Sequence, residues 1–139
     1  MDFLMEKEQT FKDPRELLLK VSELAHSYLA LEICGFVGFD KKNNNFILQM
    51  EQNEADEPSQ YFMINPLNYL LFKAKYEMVA IFHSHIVGNE EPSEFDIKMA
   101  EISCQPFLIY SLNTKKTHIF TPQKTESDVK ILNRIKALI

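Results

Sequence analysis

Cysteine is scarce in this chain: two in 139 residues, Cys34 and Cys104, with no Cys-x-x-Cys pair. That excludes a cysteine-built zinc site and a dithiol redox motif. Both cysteines sit in apolar stretches and read as small buried side chains. Positive charge is in the minority, with 15 Lys and Arg against 20 Asp and Glu and a net charge of -5. A nucleic-acid binder carries a basic patch or stripe, so nucleic acid is not an expected partner. Long hydrophobic runs are missing as well. No stretch approaches the ~20 apolar residues of a membrane span. The opening MDFLMEKEQTFKDPRE lacks the basic start and apolar run of a secretory signal. The expectation is a soluble cytoplasmic protein with no membrane partner. No internal repeat, low-complexity segment or linker divides the sequence. Residues 13–139 read as one domain behind a polar tail, residues 1–12.

What the chain does have is periodicity. Apolar residues are 45% of the total, enough for a substantial core. Leu17, Leu18, Val21, Leu24, Ala25 and Tyr28 recur at spacings of three and four, a helical stripe. Asp13-Pro14 before them is a cap residue followed by proline at the first helical position. Residues 33–39 read as a buried strand, 40–45 as a polar turn and 46–50 as a second strand, together a hairpin. An acidic loop, residues 51–60, leads to a short strand at 61–64. Asn65-Pro66 starts a second helix ending near Tyr76. A strand over 78–85, a loop over 86–92 and a helix over 93–103 follow. Strands at 107–112 and 117–120 flank a polar turn. A last helix runs from about Ser127, with Val129, Leu132, Ile135 and Leu138 or Ile139 on one face. This order implies an α/β or α+β domain with a mixed sheet packed by helices.

The informative stretch is IFHSHIVGNEEPSEFD, residues 81–96. Alternate residues of a strand share a face, so Val79, Ile81, His83 and His85 point one way and Ser84 the other. Two imidazoles two residues apart can bind one metal ion from a strand end. A helix starting at Ser93 has Asp96 in its first turn, where it can supply a third ligand. Two histidines and a carboxylate, with water in the fourth position, make a catalytic type of zinc site. Taken alone, Ser93-x-x-Asp96 is equally a helix-capping pattern. Such a site also needs a proton acceptor. Glu32 stands among Tyr28, Leu29, Ala30, Leu31, Ile33 and Cys34, an unusual setting for a carboxylate. It reads either as that base or as an exposed residue closing the first helix.

Glu32-Ile33-Cys34-Gly35 followed by His83-Ser84-His85, seven residues, and Ser93-Glu94-Phe95-Asp96 resembles the signature of the JAMM metalloproteases, the catalytically competent MPN domains. The pattern is Glu-x-x-Gly, then H-x-H-x(7)-S-x-x-D. The likeness covers roughly residues 15–120. It implies a mostly antiparallel curved sheet packed between helices, the cytidine-deaminase-like JAMM/MPN fold. It implies one Zn2+ on His83, His85 and Asp96. Glu32 would take the proton of the attacking water and pass it to the leaving amine, and Ser93 would hydrogen-bond the oxyanion. The family cleaves peptide or isopeptide bonds after the C-terminal glycines of ubiquitin or ubiquitin-like proteins. A chain this short, without insertions, resembles the prokaryotic type, whose partners are ubiquitin-like modifiers or sulfur-carrier proteins. Ile86 departs from the proline that many bacterial members carry after the second histidine, and a changed loop is expected there. Two other readings stay open: the same zinc chemistry on another peptide or small amide, and a non-catalytic MPN scaffold. A barrel amidohydrolase with an H-x-H motif needs ~250 residues and is excluded by length.

Overall fold

A computed structural model describes residues 8–139. Its elements run β1 (Glu8–Phe11), α1 (Pro14–Ser27), β2 (Cys34–Asp40), β3 (Asn45–Glu51), α2 (Pro66–Lys75), β4 (Glu77–His85), α3 (Glu94–Ser103), β5 (Phe107–Ser111), β6 (Thr117–Phe120) and α4 (Val129–Lys136). The helix starts follow from their caps. Asp13 and Asn65 accept from the backbone of Arg15 and Leu67 through side-chain oxygens, each with a proline next in line. Asp128 accepts from Lys130 and Ile131 at the start of α4.

The six strands form one sheet in the order β1-β3-β2-β4-β5-β6. Every pairing is antiparallel except β4 with β5, which are joined by the α3 crossover and run parallel. Helices cover both faces. Leu17, Val21 and Ala25 of α1 and Leu132 and Ile135 of α4 pack with Val37, Leu48, Phe82 and Leu108. On the other face Phe72 of α2 and Ala100 of α3 pack with Phe36, Ile81, Phe107 and Ile109. Central β4 is buried from Met78 to His85, as expected of a strand covered on both sides. This is the mixed sheet between helices that the element order implies, and the mostly antiparallel one that the family resemblance implies.

Several details differ from the sequence reading. Residues 8–11 are not tail but an edge strand, with Glu8 opposite Gln49 and Phe11 opposite Phe46; residues 1–7 of the expected tail lie outside the described residues. Residues 61–64 form no ladder, because Asn53 binds the backbone N–H of Met63 and the carbonyl of Tyr61. Val79 packs on the α1/α4 face rather than with Ile81. It is the extra residue of a bulge, since Val37 pairs with Ala80 and Gly38 with Met78. The last helix starts after Asp128; it exposes Val129 and buries Ile131, Leu132 and Ile135. Cys34 is buried, but Cys104 is only partly so, because it closes α3 in the left-handed conformation at φ 56.

Candidate metal centre

The sheet register builds the site. Cys34 of β2 lies opposite His83 of β4, and opposite residues of an antiparallel pair share a face. Stepping back two residues keeps that face, so Glu32 comes level with His85 on the His83 side. The pairing continues past the strand end: Ser84 N–H donates to Ile33 O at 3.0 Å and Ile33 N–H to Ser84 Oγ at 2.9 Å. Ser84 therefore points away from the histidines, as alternation requires, and ties the Glu32 segment to their strand. Close approach explains the glycine of the motif. A Cβ on Gly35 would overlap the Gln49 carbonyl oxygen and the Phe82 ring.

His83, His85 and Asp96 converge, with their ligand atoms all within 4.8 Å of one another. The two Nε2 atoms are 3.2 Å apart. Asp96 Oδ1 is 3.1 Å from His83 Nε2, and its Oδ2 is 2.9 Å from His85 Nε2. All three side chains are buried. Asp96 is delivered by a capping box: Ser93 Oγ accepts from Asp96 N–H at 3.0 Å while Asp96 Oδ2 accepts from Ser93 N–H at 2.9 Å. The helix cap and the ligand are thus one arrangement. His85 is oriented by the loop after β4, where the Asn89 carbonyl lies 2.8 Å from Nδ1. A proton on Nδ1 leaves the Nε2 lone pair free to bind a metal. His83 is held by rings, stacked on Phe62 at 4.4 Å and edge-on to Phe107 at 5.5 Å.

Charge in this group is arranged around Asp96. Burial alone would raise its pKa, but hydrogen bonds from His83 and His85, the charge of His83 and the Ser93 N–H hold it well below the carboxylate range. Burial also opposes a charge on His85, yet Asp96 and the Asn89 carbonyl outweigh it and raise that pKa. For fully buried His83, desolvation prevails over Asp96 and lowers the pKa. Glu32 is buried but is not a member of the converging group. Desolvation, reduced by His85 and reinforced by Asp96, raises its pKa to about 8. Burial pushes the Cys34 thiol far up too, which leaves no thiolate nucleophile at this end of β2.

All five residues singled out in the sequence meet here. Asn53, Phe62 and Asn89, which support them, carry no local spacing signal; only the fold brings them in.

Residues 14–124 match the family described as prokaryotic homologs of the JAB domain. The chain belongs to that family. No curated protein matches it. Among solved structures it is similar to a Desulfitobacterium hafniense protein known from its solution structure, with a TM-score of 0.53 and 21% identity over 84% of this chain and 86% of that one. That likeness concerns the fold. JAB membership and the buried His-His-Asp group together fit a metal-dependent hydrolase.

Proposed function

We propose that this JAB-domain protein is a zinc peptidase cleaving the peptide or isopeptide bond that follows the C-terminal glycines of a ubiquitin-like protein. The observation that carries the reading is the convergence of two imidazole nitrogens and a carboxylate, with a buried fourth residue, Glu32, beside them on the same sheet face. The donor set fits zinc. Ligands at about 2.0–2.1 Å in tetrahedral array stand about 3.3 Å apart; here the two imidazole nitrogens are 3.2 Å apart and one ligand atom from each of the three residues lies within 4.8 Å of the others.

Zinc held by His83, His85 and Asp96 would supply a Lewis acid and a water acidified toward neutrality. The chain's own groups do the rest. Glu32, outside the ligand group, takes the proton of the attacking water and returns it to the leaving amine. Its apolar burial makes it a stronger base than a solvated carboxylate. Ser93 Oγ uses a lone pair on the Asp96 N–H. Its own proton is free to bind the oxygen that becomes negative in the tetrahedral intermediate. Ser93 is exposed while the ligands are not, which supports its reading as a donor facing the substrate. Glycine suits such a site, because a residue without a side chain lets the backbone approach the metal closely.

The test is a panel of ubiquitin-like proteins from the source genome, each fused through its terminal glycines to a short peptide. Zinc-loaded protein is expected to release the peptide, and replacing the last glycine by a larger residue to abolish release. Hydrolysis of small amides or other peptides with every fusion left intact would contradict the substrate and keep the zinc chemistry. No zinc uptake and no hydrolysis would mark a scaffold.

A further inference from the structure

The acidic segment between β3 and α2 has no regular structure, and from its sequence it is a surface loop. One side chain organises it. Asn53 Nδ2 faces three carbonyl oxygens, those of Glu32 at 2.9 Å, Tyr61 at 3.0 Å and Pro58 at 3.3 Å. Asn53 Oδ1 accepts from the backbone N–H groups of Ala55 at 3.0 Å and Met63 at 3.1 Å. An amide offers two protons and two lone pairs, so its capacity is used in full. The partners fix its orientation, since carbonyls surround the nitrogen and N–H groups the oxygen. Glu32 N–H donates to Pro58 O at 2.8 Å. Both backbone polar groups of Glu32 are therefore bound to this loop.

The same loop reaches the rest of the site. Phe62 stacks on His83, and Tyr61 packs against Phe95 in the first turn of α3 at 5.3 Å. The next residue, Ile33, is bound to Ser84, between the two histidines. The Glu32 carboxylate itself receives no hydrogen bond from any described residue, so its place is set through its backbone. We infer that Asn53 is a positioning residue for Glu32, latching the loop onto the Glu32 backbone and so setting the distance from carboxylate to ligand group. This rests on Glu32 being the base.

Asn53→Asp tests it, because the acid keeps the acceptor for Ala55 and Met63 and replaces only the donor. In metal-free protein, amide exchange at Glu32 should quicken about tenfold or more, while Ile33 and Ser84, held by the other tether, should stay within about twofold. Zinc uptake should be unchanged. On a Gly-Gly fusion peptide, kcat should fall about tenfold or more with KM nearly constant, since ~1 Å of misplacement costs up to ~10²-fold. In a Glu32→Gln background the same substitution should change the residual rate less than about twofold. Unchanged exchange at Glu32, or equal rate losses in both backgrounds, overturns the inference. Should Asn53→Asp not fold, Asn53→Ala, which puts no carboxylate among three carbonyls, carries the same expectations. If wild-type protein cleaves no fusion, the proposed function fails, and the exchange pattern alone still decides whether the latch exists.

Discussion

Glu32 carries the clearest tension at the level of single residues. Folding moves a carboxylate from water into an apolar pocket and raises its pKa to about 8. The folded metal-free chain then holds a proton that the unfolded chain releases above about pH 4.3. The stabilisation from that proton is complete below the unfolded value and is gone once pH rises past about 8. Metal-free protein should therefore melt at falling temperature from pH 5 to pH 8, and Glu32→Gln should flatten that fall. The same variant should bind zinc normally and lose about 10²-fold or more in turnover. Normal turnover in it would place the base elsewhere. Ser93 caps α3 and, in the proposed mechanism, also donates to the oxyanion. Ser93→Ala removes a cap worth about 1 kcal/mol and an oxyanion donor worth roughly 10²–10³ in rate. Calorimetry and kinetics on one preparation distinguish them, and a lower melting point with unchanged rate would leave only the cap.

Among the elements, β4 does most to place the site, and its neighbours fix it. Helix α2 seats Phe72 on the bare backbone of Gly38, where a Cβ would stand 2.5 Å from the ring. Gly38→Ala should cost about 1–3 kcal/mol by overpacking, read as a lower urea midpoint, while zinc content stays unchanged. Gly38 is far along β2 from the metal ligands, so loss of zinc there would show that α2 packing and the site are coupled. Sequence periodicity carries part of this arrangement. The stripe of α1, the cap-proline starts of α1 and α2, and the β4 alternation that aims His83 and His85 together are local signals, and the structure follows them. Glu8–Phe11 is too short to show a period and becomes a strand only by pairing with β3. Val79 leaves its expected face because a bulge is a property of two paired strands. Residues 61–64 look strand-like, but the Tyr61 carbonyl and the Met63 N–H are bound by the side chain of Asn53, eight and ten residues earlier, and the Met63 carbonyl by the Glu54 N–H.

For the whole molecule, the site was legible because its motif is spread over segments that one sheet must bring together. Glu32 precedes β2, the histidines end β4, and Asp96 opens the helix that follows. The supports were not legible, since Asn53, Phe62 and Asn89 act through contacts that only the fold creates. None of the described helices is long and apolar enough to cross a membrane. Everything in the proposed chemistry depends on His83, His85 and Asp96 holding zinc. This is tested most directly by elemental analysis of protein purified without chelator, wild type beside His83→Ala and Asp96→Ala. Wild-type protein should carry about one zinc per chain, and either variant little. Wild-type protein that holds no zinc and takes up none when it is supplied would contradict this.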